Sequence, residues 1–165
     1  MNLLSLHSDP KSLDHHEDVD LVPSLAWEKY KHNPKESRKR EKLWARDAET
    51  AYGYAMGVVD GRFKLGEPVI AKSAPTSFYY SLLVLKDRFE LGEPTIAENA
   101  ELSYLYALRV LKGSFPLGEP AIARSARYSC NYAVNVLKGP FELGEPAINK
   151  KAVYKNKYKE FLRLL

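Results

Sequence analysis

The chain has 165 residues, 45% apolar and 28% charged, with a net charge of +4. That is enough for one ordinary domain with a buried core, and a mildly basic balance permits nucleic-acid contact without demanding it. A single cysteine, Cys130, excludes an intramolecular disulfide and a cysteine zinc cluster, and no apolar run nears the roughly 20 residues that a bilayer span needs.

The opening segment, Met1 to Leu6, lacks the basic flank and long apolar stretch of a signal peptide. The expectation is a soluble, cytoplasmic protein with no membrane partner. Residues 1–27 carry Asp9, Asp14, Glu17, Asp18 and Asp20 against Lys11 alone, which reads as an acidic, partly flexible arm. His7, His15 and His16 lie there too, but adjacent histidines on a helix point about 100° apart, and no metal site is expected. Leu21, Val22, Leu25 and Trp27 are apolar enough to dock the far end of the arm against the first repeat.

Residues 28–165 read as a single helical-repeat domain. Its opening is basic: Lys29, Lys31, Lys35, Arg38, Lys39, Arg40, Lys42 and Arg46 face Glu28, Glu36 and Glu41. Asn33-Pro34 is an N-cap followed by proline in the first turn, and Glu36 completes a capping box. The predicted helix spans 34–46, and Leu43, Trp44 and Ala45 fall one period before Val69, Ile70 and Ala71. It therefore serves as the first helix of a degenerate opening repeat and caps the stack.

The period itself is set by Leu65-Gly66-Glu67-Pro68, which returns at Leu91, Leu117 and Leu143, 26 residues apart each time. A constant period means one supersecondary unit copied in tandem. Each unit begins with a short helix opened by Glu-Pro. A junction residue follows, Asp47, Ser73, Asn99 or Ser125, all strong N-cap types. A longer helix is predicted over 48–60, 74–86, 100–112 and 126–138. Its columns are Ala51/Ser77/Ser103/Ser129, Tyr54/Tyr80/Tyr106/Tyr132, Ala55/Ser81/Ala107/Ala133, Val58/Val84/Val110/Val136 and Val59/Leu85/Leu111/Leu137. These offsets describe one face of an α-helix, with the tyrosines in the core and their hydroxyls at its rim. Gly61, Gly113 and Gly139, with Asp87 as the exception, stand where a left-handed cap is expected. Two anchors per return loop, Phe63/Phe89/Phe115/Phe141 and Leu65/Leu91/Leu117/Leu143, are expected to pack under the next unit.

A unit this short cannot bury its own face, and stacking solves that. The predicted fold is all-α: a right-handed α-solenoid of tandem 26-residue helix pairs with capping helices. Repeats run to about 150, and a C-terminal cap helix extends to 165. Lys151 replaces the usual cap residue there, while Tyr154, Tyr158 and Leu162 keep the apolar columns.

The run LGEPAIARSARYSCNYAVNVLKGPFELGEPAI resembles short tandem repeats of the form GEPxIAxxxxYSYxYAxxVLKGRF. Such repeats recur in proteins encoded by bacteriophages and other large viruses, mostly of unassigned function. The resemblance covers about residues 43–150 and rests on the Glu-Pro, Ile-Ala, Tyr-Ala and Val-Leu-Lys-Gly matches; residues 1–42 lie outside it. It implies a viral protein working in the host-cell cytoplasm and brings no catalytic motif with it.

No phosphate loop, HExxH or GxSxG is present, and neither catalysis nor a cofactor is expected. Cys130 reads as a small buried hydrophobe. Glu67, Glu93, Glu119 and Glu145 read as local carboxylates at helix amino termini. Two binding readings stand. In the first, Tyr79, Leu82, Leu83, Leu105, Leu108 and Arg109 form a surface for a host or viral protein, or for self-association, as in an inhibitor or adaptor of host takeover or counter-defence. In the alternative, Arg38, Lys39, Lys42, Arg46, Lys72 and Arg124, with Lys150 and interrupted by Glu98, contact DNA or RNA phosphates irrespective of sequence. Lys86, Lys112 and Lys138 are assigned to helix dipoles.

Overall fold

The computed structural model describes residues 30–165, and the acidic arm over 1–27 lies outside them. Among the described residues the secondary structure is helical throughout, without a strand. The basic helix α1 spans Pro34–Trp44. Asn33 accepts from the Glu36 amide at 3.3 Å, and Arg40 reaches Glu36 at 3.5 Å. Arg46 lies beyond the helix, which closes at Ala45.

Long and short helices then alternate. The long ones are α2 (Ala48–Tyr54), α4 (Ala74–Tyr79), α6 (Ala100–Tyr106) and α8 (Ala126–Tyr132). Between and after them come the short α3 (Glu67–Ile70), α5 (Glu93–Ala97), α7 (Glu119–Ile122) and α9 (Glu145–Asn149). Helix α10 (Ala152–Arg163) closes the chain. The junction residues cap as expected. Asp47, Ser73, Asn99 and Ser125 accept the amide three residues on, at 2.8, 3.4, 3.0 and 3.4 Å. Lys151 opens α10 without a side-chain cap. Each long helix packs on the next long helix in the chain and on the short helix that follows it.

The long helices are not α-helical to their ends. Each widens into a π-helical segment: Ala55–Val59, Tyr80–Leu85, Ala107–Leu111 and Ala133–Leu137. Helix α10 stays α-helical over its whole length. The widening has two consequences that a straight α-helical reading misses. The Val58 and Val59 columns lie at the edge of the core, half-buried and packed against it except at Val59, which is exposed. The left-handed residue also comes one position early. It is Asp60, Lys86, Lys112 and Lys138, with φ of 49°, 54°, 52° and 51°, and no described glycine has positive φ. The following amide bonds back six residues, as from Gly113 to the Ala107 carbonyl at 3.1 Å.

The glycine that the fold does require is in Leu-Gly-Glu-Pro. A Cβ on Gly118 would lie 2.4 Å from the Phe115 ring and 2.6 Å from Ser103, and its three counterparts are equally crowded. The small column explains the approach, since Ala51, Ser77, Ser103 and Ser129 are fully buried. The serines also donate to the carbonyls of Ile70, Ile96 and Ile122 at 2.9, 3.0 and 2.9 Å.

The tyrosine column is the core, together with Ile70, Ile96, Ile122 and Ile148. Its hydroxyls are not at the rim. The Phe89 amide donates to the Tyr106 hydroxyl at 2.9 Å, and that hydroxyl donates to Glu93 Oε1 at 2.9 Å. Phe63–Tyr80–Glu67, Phe115–Tyr132–Glu119 and Phe141–Tyr158–Glu145 repeat the arrangement. Tyr54 donates to Glu41 at the same separation, so α1 supplies the glutamate of the opening unit. The glutamates are therefore more than helix-end charges: each ties a helix start to a tyrosine 13 residues later.

The return-loop anchors split. Phe63, Phe89, Phe115 and Phe141 are buried, whereas Leu65, Leu91, Leu117 and Leu143 are 48–55% exposed. The leucine points outward because the phenylalanine two residues earlier already fills the space beside the tyrosine ring, at 4.8–5.1 Å between centroids.

Candidate binding surface

The π-helical segments place most of the proposed protein-binding residues. Tyr79 ends α4, Leu82 and Leu83 follow in its widened segment, Leu105 lies in α6, and Leu108 and Arg109 follow in that helix's widened segment. Tyr79, Leu82, Leu105 and Leu108 are half-buried against one apolar cluster that also holds Tyr104, Tyr106 and Tyr132. Much of their apolar surface thus serves contacts between units. Leu83, at 36% exposure, and Arg109 are the two that stand in solvent. Burial raises the Tyr79 hydroxyl above its ordinary pKa, and the nearby Glu101 charge adds to the shift.

Two clefts open between successive widened segments. Ser81, Leu82, Lys86, Arg109, Val110 and Lys112 line one of about 220 Å³. Ala107, Leu108, Lys112, Asn135, Val136 and Lys138 line the other, of about 330 Å³. Every lining position of the second is the counterpart of one in the first, one repeat later. Lys112 belongs to both, so the clefts are adjacent. Beside the second, Asn135 donates to the Tyr104 hydroxyl at 3.0 Å.

Lys86, Lys112 and Lys138 fall outside the surface expected from sequence, because a helix dipole accounts for a lysine in a last turn. The available signal is register: Lys86 and Lys112 follow the apolar cleft residues Leu82 and Leu108 by four, and Lys138 follows their column partner Val134 by the same spacing.

The basic set is exposed throughout: Arg38, Lys39, Lys42, Arg46, Lys72, Arg124 and Lys150 all face solvent, as does Glu98. Lys39 pairs with Glu36 at 3.7 Å. Arg46, Lys72, Glu98, Arg124 and Lys150 hold equivalent positions after the short helices, so the carboxylate interrupts the same row in the fold as in the sequence.

Cys130 is fully buried, with Sγ 3.8 Å from the Tyr154 carbonyl, and burial raises its thiol pKa. Such a thiol is a poor nucleophile. Among the described residues no helix is long and apolar enough to cross a membrane. No protein-family model, curated protein or solved structure matches the chain.

Proposed function

We propose that the chain is a right-handed α-solenoid of 26-residue units that acts as a non-catalytic binding module for another protein. The observation that carries this reading is the pair of adjacent clefts, one repeat apart, which share the Leu, Val and two Lys positions and differ at Ser81/Ala107 and Arg109/Asn135. An enzyme needs one asymmetric constellation of groups. A repeat array instead offers the same recess several times and varies its lining, which is how extended partners are recognised. Arg109 in one cleft and Asn135 in the other are such a variation. The resemblance to repeats of bacteriophages and large viruses supports a viral protein acting in host-cell cytoplasm, as an inhibitor or adaptor directed at a host or viral protein.

Leu83→Lys is the discriminating variant, because Leu83 is already exposed and the fold tolerates the change. Capture from nuclease-treated host lysate is expected to recover a protein partner with wild type and with an Arg38/Lys42/Arg46/Lys72/Arg124→Ala chain, but not with Leu83→Lys. A partner retained by Leu83→Lys and lost from the alanine chain overturns the assignment of this surface.

The nucleic-acid reading is favoured by one observation, the exposure of the basic set without salt bridges to described residues at Arg38, Lys42, Arg46, Lys72 and Arg124. Phosphate neutralisation would give a log–log salt slope of about −0.7 to −0.9 per phosphate contacted. Glu98 within the row and the modest net charge place it second.

A further inference from the structure

The left-handed position that ends each long helix is held by Asp60 in the first, a type that tolerates it, and by lysine, which suits it poorly, in the other three. Lys86, Lys112 and Lys138 have φ of 54°, 52° and 51°, while glycine or aspartate follows immediately. A left-handed residue with a Cβ costs free energy that glycine avoids. A dipole role requires only a cation somewhere in the last turn, and does not require it at the one strained position. A side chain kept at a strained site points to a use for that side chain.

The clefts show the use. Lys86 and Lys112 line the first, together with Arg109, and Lys112 and Lys138 line the second. All four cations are exposed, and none forms a salt bridge with a described residue. No carboxylate lines either cleft. Beside the cations stand half-buried Leu82 and Val110 in the first cleft, and Leu108 and Val136 in the second. Phosphates would satisfy the cations but leave these apolar walls unused. A linear polypeptide in which carboxylates alternate with apolar side chains uses both.

We propose that the row of clefts binds an extended acidic segment of a partner protein. Its Asp or Glu carboxylates meet Lys86, Arg109, Lys112 and Lys138, and its apolar side chains rest on Leu82, Leu108, Val110 and Val136. This inference rests on the protein-binding reading above and supplies the chemical class of the partner. Asn135 stands in the second cleft where the first has Arg109, so the more acidic end of the segment lies at the first.

The test is selection of a displayed library of random linear peptides on the whole chain. Selected peptides are expected to interleave Asp and Glu with Leu, Val or Phe. A labelled peptide from that pool is expected to bind about tenfold more weakly to the Lys86→Asn/Lys112→Asn/Lys138→Asn chain. The corresponding Lys→Arg chain is expected to hold its affinity. Asparagine tolerates the left-handed backbone, so the triple Asn chain should melt no lower than wild type. A lower melt assigns the lysines to the helix ends and overturns the proposal. Selected peptides without acidic bias, yet lost on Leu83→Lys, overturn the acidic class and leave the protein-binding reading standing. No selected peptide, with single-stranded DNA bound in a steeply salt-dependent way, overturns both.

Discussion

A tyrosine hydroxyl in a dry core needs two partners, and here it has them in every unit. Tyr106 accepts from the Phe89 amide and donates to Glu93, which Arg88 holds through two bonds of 2.8 Å. Burial raises the Glu93 carboxyl, but hydrogen bonds from Arg88 and Tyr106 outweigh it and leave the pKa below the ordinary value. Arg62 holds Glu67 through two hydrogen bonds of 2.6 and 3.1 Å. Ser114 and Pro140 stand at the arginine position of the next two units, and there Glu119 and Glu145 are only half-buried. Carboxylate burial thus follows the presence of a paired guanidinium, as desolvation demands. Tyr106→Phe keeps the ring and strands the Phe89 amide, so it should cost about 1–3 kcal/mol in denaturant melts. Tyr106→Ala also empties the core and should cost about 3–5 kcal/mol. Equal losses would mean that the hydrogen bonds contribute nothing. The position of these tyrosines was legible from their column. The fate of their hydroxyls was not, because the glutamate partner lies 13 residues back, beyond any single-helix pattern.

At the scale of elements, two glycine columns look equally important and are not. Gly66, Gly92, Gly118 and Gly144 have ordinary negative φ, and what they supply is the absence of a Cβ where a short helix meets the phenylalanine ring and the small column. Gly61, Gly113 and Gly139 meet nothing closer than 3.7 Å, and Asp87 fills the same position without difficulty. Gly118→Ala should therefore destabilise by about 1–3 kcal/mol through overpacking. Gly113→Ala should be neutral or stabilise by up to about 1 kcal/mol, because it restricts the unfolded chain. Thermal melts of the pair decide this; similar losses in both would restore the left-handed cap at Gly113. Helix starts were readable because capping is a local contact between a side chain and the amide three residues on. Helix ends were misread because the π-helical widening changes the register at the end of each of the four long helices. The clefts lie between successive widened segments, and their lysines were passed over because a helix dipole already accounts for a cation in a last turn.

Across the molecule, the buried tyrosines form a coupled set of identical weak points, since each unit depends on one. Burial raises Tyr80 to about 12, with the Glu67 charge adding to the shift against the Phe63 amide and Arg62. Burial also pushes Tyr106 and Tyr132 well up, with Glu93 and Glu119 as the charges nearby, and raises Tyr54 and Tyr158 in the same direction. The folded chain therefore holds these protons to higher pH than the unfolded chain, whose tyrosines ionise near 10. The stability they contribute is complete below that value. It is lost as pH rises from about 10 through the folded values, because there the unfolded state binds fewer protons. In the proposed solenoid, where each unit would be held mainly to its neighbours, loss of the interior ties should release the array together rather than fray one end. Urea midpoints should fall steeply between about pH 9 and about pH 11, and tyrosinate absorbance should appear with the loss of helical circular dichroism rather than before it. Lysines titrate in the same window, so the comparison is with Tyr106→Phe, whose midpoint should fall less over that interval although it starts lower. Full tyrosinate absorbance near pH 10 with helicity intact would mean that the hydroxyls ionise freely in the folded state, and that the ties between helix starts and tyrosines do not hold the array.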